Sequence, residues 1–153
     1  MSAIEATRRK ILTTLSRWRG ALPAEELPLF RDFVRTTLPK VRGPFLAQHP
    51  PKEVIDALAV AFSHCLVHKG DDPKVDIRKR SSRGMIVLCS MPDQPFIVDT
   101  IRLFLRVSEA PYWGGFNLVF QGVRDAKGRL IGFDDEKGSA ESLVLLEADY
   151  NEA

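Results

Sequence analysis

Thiols are scarce in this chain, whose 153 residues hold only Cys65 and Cys89. Both stand in apolar surroundings, Ser-His-Cys-Leu-Val and Val-Leu-Cys-Ser. That excludes a disulfide-rich secreted scaffold and reads as two buried thiols of a cytoplasmic protein. Long apolar runs are also lacking. None approaches the ~20 residues that span a bilayer, and the N-terminus has no apolar stretch of the secretory kind. Nor does one sign of charge dominate: 22 Lys and Arg face 20 Asp and Glu, a net +2, whereas nucleic acid recruits a clearly basic face. The expectation is a protein with neither nucleic acid nor membrane as partner. The length is too small for a nucleotide domain plus a substrate domain, so a complete two-domain dehydrogenase is excluded.

Catalytic motifs are missing as well. No Gly-x-Gly-x-x-Gly follows a strand and no Gly-x-x-x-x-Gly-Lys-Ser/Thr occurs, so neither dinucleotide nor triphosphate has its usual cradle. Gly114-Gly115 precedes a strand and reads as a flexible turn. His64 and His68 are one helical turn apart, but counting about 100° per residue from Val54 places both outside the apolar stripe and Cys65 on it. Two outward histidines without a carboxylate or second thiol make a poor zinc site. The third histidine, His49, lies in a connector. Nothing singles out a nucleophilic triad, and the pairs Asp71-Asp72 and Asp134-Asp135 fall in polar loops where solvation explains them.

What remains is an ordinary globular composition, 44% hydrophobic and 27% charged. Its charge is unevenly spread. Residues 1–80 hold 15 basic and 9 acidic residues, net +6, and residues 81–153 hold 7 and 11, net −4. Two segments that pack on each other, or on a partner, produce such a split, as do solvated helix faces.

The first 70 residues read as three helices. Ile4, Ile11, Leu12, Leu15 and Trp18 form one stripe over residues 2–19. The Arg8-Arg9-Lys10 to Arg17-Trp18-Arg19 stretch resembles an organelle transit helix, yet nothing like a processing site follows, and a surface helix is the simpler reading. Pro23 opens a second helix carrying Leu27, Phe30, Val34 and Leu38, closed by Pro39. Residues 40–49 read as a connector. Pro50-Pro51 opens a third helix running to Gly70, with Val54, Ile55, Leu58, Phe62, Cys65 and Leu66 on the core face.

Beyond Asp71-Asp72-Pro73 the period changes to two. Residues 74–80 alternate like an edge strand, Ser81 to Gly84 is a turn, and residues 85–89 are apolar throughout, as in a central strand. Met91-Pro92-Asp93-Gln94-Pro95 then breaks the strand. Pro95 suits the first helical position, and Asp93 or Gln94 the cap. Phe96, Ile97, Thr100, Ile101, Phe104 and Leu105 form that helix's buried face, Asp99, Arg102 and Arg106 its outer face, and Pro111 ends it. Strands over 116–123 and 129–133 flank the Asp125-Ala126-Lys127-Gly128 turn, and a last strand covers 142–147. The order β-β-α-β-β-β implies an α+β layer, with one sheet face covered by a single helix and the other available to the N-terminal helices. The expected division is a helical subdomain over 1–70 and a mostly antiparallel sheet domain over 74–149. A strand-to-helix loop over 91–99 presents free amides that favour an anion.

At Gln94-Pro95-Phe96-Ile97-Val98-Asp99-Thr100 the sequence resembles the N-terminal region of the large bacterial NAD-specific glutamate dehydrogenases. That family carries a Met-Pro-Phe-Leu-Val-Asp-Ser-like stretch after an apolar strand. Val123-Arg124-Asp125-Ala126-Lys127-Gly128-Arg129-Leu130 is similar to its Arg-Asp-Ala-Asp-Gly-Arg-Leu hairpin, and Glu141-Ser142 to its following Glu-Ser strand. The likeness spans roughly residues 74–149, while the helical half matches only in pattern. The resemblance implies an ACT-like, ferredoxin-like regulatory or assembly domain ahead of a catalytic region that deaminates glutamate with NAD. It implies no cofactor in this segment. The partners it implies are the downstream catalytic region, a second copy of the chain and an amino-acid effector. The candidate effector-binding residues are Met91, Pro92, Asp93, Gln94, Pro95 and Asp99. In ligand-binding ACT domains the loop often reads Asp-x-Pro-Gly; here Phe96 follows Pro95, where its side chain blocks the close backbone approach glycine allows. A small-molecule sensor is the alternative function, and a stand-alone enzyme the third.

Overall fold

The computed structural model describes residues 2–80, 84–107 and 112–149. Ser2 caps the first helix reciprocally: its hydroxyl accepts the Glu5 N–H, and its own N–H donates to the Glu5 carboxylate. Helix α1 (Ala3–Leu15) buries Ile11 and Leu15, while Ile4 and Leu12, expected on the same stripe, are exposed. It ends short of residue 19 because Arg17 and Trp18 bond three residues back, to the Thr14 and Leu15 carbonyls. That tightening turns the buried Trp18 ring so that its Nε1–H donates to Asp56 at 2.9 Å.

A 3₁₀ turn (Ala24–Glu26) leads into α2 (Leu27–Thr37), which buries Phe30, Phe33 and Val34. The expected connector over 40–49 instead holds a short helix, α3 (Gly43–Gln48), with Pro44 in its first turn and Phe45 and Leu46 buried. Helix α4 (Pro51–Cys65) stops before Gly70, since the following backbone has another partner. The Leu66 carbonyl accepts from Leu130, His68 N–H donates to Gly128, and Val67 bridges Arg129. The helix is thereby diverted onto a hairpin. His64, expected to face outward, is buried: its Nε2–H donates 2.7 Å to the Lys74 carbonyl. The apolar stripe alone could not show that a strand packs beside that flank of α4.

The strands are β1 (Lys74–Lys79), β2 (Gly84–Pro92), β3 (Tyr112–Arg124), β4 (Leu130–Phe133) and β5 (Ser139–Asp149). They form one sheet in the order β1-β2-β5-β3-β4, every neighbour antiparallel. Several run longer than their sequence signals, because β2 and β3 both pair along β5. Gly114 and Gly115, expected as a turn, pair with Glu147 and Leu146 beside an irregularity in β3. Gly115 has φ 131°, and a Cβ there would lie 2.1 Å from the Leu145 carbonyl oxygen. Only glycine permits that approach. The turn at 81–83 and the stop at Pro111 lie outside the described residues, as does the Phe104 side chain.

Helix α5 (Ile97–Val107) begins two residues later than expected. Pro95 and Phe96 form a turn instead, with Phe96 at φ 66° and 74% exposed, so it is not part of the buried face. Thr100, also exposed, caps the start through its N–H and hydroxyl, both donated to the Phe96 carbonyl. Because β2 and β3 flank β5, they run parallel to each other, and α5 joins them as a split β-α-β unit.

Side-chain alternation sorts the sheet into two faces. Ile86, Leu88, Phe116, Leu118, Phe120, Leu130, Leu143 and Leu145 pack with α1 to α4 in one cluster. Phe33 links the layers, with ring centroids 5.4 Å from Phe62 and 5.9 Å from Phe120. Met85, Val87, Cys89, Met91, Val144, Leu146 and Ala148 point the other way, under Ile97 and Leu105 of α5. The N-terminal helices thus supply the second covering layer, and β2 is covered on both faces.

Candidate functional site

The six residues singled out around the β2–α5 junction go to different places. Met91 and Pro92 are the last residues of β2, opposite Ser142 and Glu141. Met91 is buried, with its sulfur 3.9 Å from the Cys89 thiol. Asp93 continues the ladder by one bond, N–H to the Ala140 carbonyl at 3.0 Å. Asp93, Gln94 and Pro95 lie at the surface, as does Asp99 in the first turn of α5, where its charge complements the helix dipole.

Pro92 alone of the six borders a cavity of about 320 Å³, which opens between the α4–β1 loop and the ends of β3 and β5. His68, Arg124, Lys137, Ser139 and Glu141 also line it. Arg124 forms its floor and is fully engaged. Its Nε and Nη2 donate to the Glu141 carboxylate at 2.7 to 3.1 Å, Nη2 also to the Cys65 carbonyl, and Nη1 to the Leu66 and Gly128 carbonyls. The pair lies largely out of water, with side chains 16% and 11% exposed. Gly122 makes room for it, since a Cβ there would come within 2.3 Å of Glu141 Oε2. This guanidinium ties the end of α4, the β3–β4 turn and β5 together. Charge of both signs remains at the exposed rim, on Lys137 and Asp71.

His68 is held by two bonds. A carbonyl only accepts, so Nε2 carries the proton donated to the Asp72 carbonyl at 2.6 Å, and Nδ1 accepts the Ser90 hydroxyl at 3.3 Å. The sequence reading also missed a second polar cluster. Glu147, buried on β5, accepts from His49 Nε2 at 3.0 Å and lies 3.6 Å from Arg80. No sequence spacing signals either cluster, because their members lie up to 98 residues apart. The thiols are inert for a physical reason: burial pushes Cys65 up to about 12 and raises Cys89. Asp134, by contrast, is held below its usual value by the N–H groups of Lys137 and Glu136, so it caps a turn.

A split β-α-β sheet clad by helices on both faces, with a polar cavity at one end and its one basic floor residue already neutralised, defines an ACT-like α+β domain. The chain belongs to the family described as glutamate dehydrogenase, ACT1 domain, whose model matches residues 33–153. The match extends well before residue 74 and takes in α3, α4 and part of α2, so the family unit includes helices of the first layer. It identifies the chain as N-terminal region of a glutamate dehydrogenase. Nothing matches among curated proteins or among solved structures.

Proposed function

We propose that this chain is the regulatory and assembly region of an NAD-specific glutamate dehydrogenase of the cytoplasm. The family match over residues 33–153 carries this reading. In it, a catalytic region downstream on the same polypeptide deaminates glutamate to 2-oxoglutarate and ammonia with NAD, and this segment controls subunit contact. The test is the parent enzyme lacking residues 33–149, assayed for glutamate oxidation and sized in solution. Altered association or effector response is expected, and an enzyme unchanged in both refutes the reading. Preference for NADP over NAD refutes the cofactor assignment separately.

The cavity beside Pro92 favours a second reading, in which the domain senses an amino acid. Its volume accommodates one, and Lys137 and Asp71 at its rim complement the carboxylate and ammonium of a zwitterion. Calorimetry against a panel of amino acids should show heat that Lys137→Ala removes, and a flat response across the panel disposes of this reading.

A further inference from the structure

We propose that two copies of this chain join edge to edge through β1, antiparallel, with Ile77 on the two-fold axis. The inference rests on the assembly role above and names its surface and partner. β1 ends the sheet. Its Val75 and Ile77 side chains are 58% and 55% exposed, an unusual load of apolar surface for an edge strand.

The hydrogen-bond alternation fixes which backbone groups face outward. Arg80 donates its N–H to the Gly84 carbonyl at 2.8 Å, directly opposite it in the register that pairs Lys79 with Met85. In an antiparallel ladder such pairs alternate, so Arg80, Arg78 and Asp76 turn their backbone groups toward β2, and Val75 and Ile77 turn theirs away from it. A symmetric strand pair centres either on an outward-facing residue, as a hydrogen-bonded pair, or on an inward-facing one, and centring on Asp76 or Arg78 would set like charge directly against like charge. Centring on Val75 sets Ile77 against Pro73, which has no N–H to give. Centring on Lys79 sets lysine against lysine.

Centring on Ile77 satisfies both backbone and charge. Ile77 exchanges its N–H and C=O with its own copy, and Val75 falls opposite Lys79 on the same face. On the other face Asp76 falls opposite Arg78 of the second copy, at the position where cross-strand side chains approach most closely. Within one chain these two already pair, Arg78 Nε to Asp76 Oδ2 at 2.7 Å, and that guanidinium holds the Asp76 carboxyl below its usual value. The dimer closes them into a ring of four alternating charges. Lys74 and Arg80 also face each other, but each is drawn away, Lys74 Nζ to the Val67 carbonyl at 2.9 Å and Arg80 toward Glu147. Arg78 further borders a groove of about 290 Å³ walled by Trp18, Leu22, Ala59 and Val60, so the second copy approaches apolar surface of the helical layer.

Charge reversal tests the register on the 153-residue chain. Analytical ultracentrifugation is expected to show a concentration-dependent dimer, weakened at least about tenfold by Asp76→Arg and by Arg78→Asp separately. Mixing the two variants should restore dimers, because each then offers the charges the other lacks. Circular dichroism checks that both variants stay folded, as expected for exposed edge positions. Ile77→Cys should cross-link to its own copy on mild oxidation, the native thiols being buried. A strictly monomeric chain, dimers indifferent to both reversals, or a mixture that fails to recover would overturn the proposal. A monomer would leave the family-based reading standing, whereas a parent enzyme unchanged by loss of residues 33–149 would fail that reading and leave this dimer intact.

Discussion

His64 shows how a single buried residue ties this fold to pH. Burial lowers its pKa from the usual 6.5, the charges of Lys74 and Arg78 add to that, and its bond to the Lys74 carbonyl opposes them. The unfolded chain takes up a proton near pH 6.5 that the native protein refuses. Stability is therefore full above that pH and falls as pH drops toward the depressed native value. Thermal melts from pH 7.5 to 5 should show this slope, and His64→Gln, which keeps a donor near Nε2, should flatten it. Phe96 is a second residue-scale case. A bulky side chain at φ 66° is strained by roughly 1–2 kcal/mol, and its exposed ring gains little from burial. Phe96→Gly should stabilise the protein by about 0.5–1 kcal/mol after the added flexibility of the unfolded chain is subtracted. A lower melting temperature would show that the ring makes a contact outweighing the strain.

At the scale of elements, the joint between the helical layer and the sheet is the Arg124–Glu141 pair. Removing Arg124 strands the largely buried Glu141 charge and takes from the Cys65 carbonyl its guanidinium donor, while the Leu66 and Gly128 carbonyls keep the Leu130 and His68 N–H groups. Arg124→Met should cost about 3 kcal/mol, and the double variant Arg124→Met with Glu141→Leu less than the sum of the single changes. Urea unfolding of the four proteins measures this directly, and strict additivity would deny the pair its role. Arg124 was legible only as part of a hairpin motif. Nothing in its spacing from Cys65 or Glu141 signals that all three meet, since the contact depends on α4 ending over the β3–β4 turn.

For the whole molecule, the decisive fact is that α1 to α4 and one sheet face share a single apolar cluster. Residues 74–149 alone would leave Phe116, Leu118, Phe120, Leu143 and Leu145 without their covering layer. That fragment should bind a hydrophobic dye or aggregate, while the 153-residue chain melts in one transition. A soluble, cooperatively folding fragment would show that the sheet and α5 suffice. The basic half, residues 1–80, includes β1 as well as the helices, and the interior between the layers is aromatic and aliphatic, so apolar contact holds the layers over their area while the Arg124–Glu141 pair pins the end of α4.

The sequence by itself determined the helix-then-sheet order, the α+β class, the edge position of β1 and both buried thiols. These follow from local periodicity and composition, which neighbouring residues carry. It misjudged α3, the diverted end of α4, the paired Gly114-Gly115 and the turn at Pro95-Phe96. In each, a distant strand or hairpin supplies the hydrogen bonds that local pattern cannot foresee. Only the tertiary structure decided that His64 is buried, that Arg124 is neutralised, and that Pro92 of the proposed loop borders the cavity over the Arg124–Glu141 pair. Those outcomes depend on which surfaces come together when β5 inserts between β2 and β3, and that insertion is a property of the folded chain as a whole.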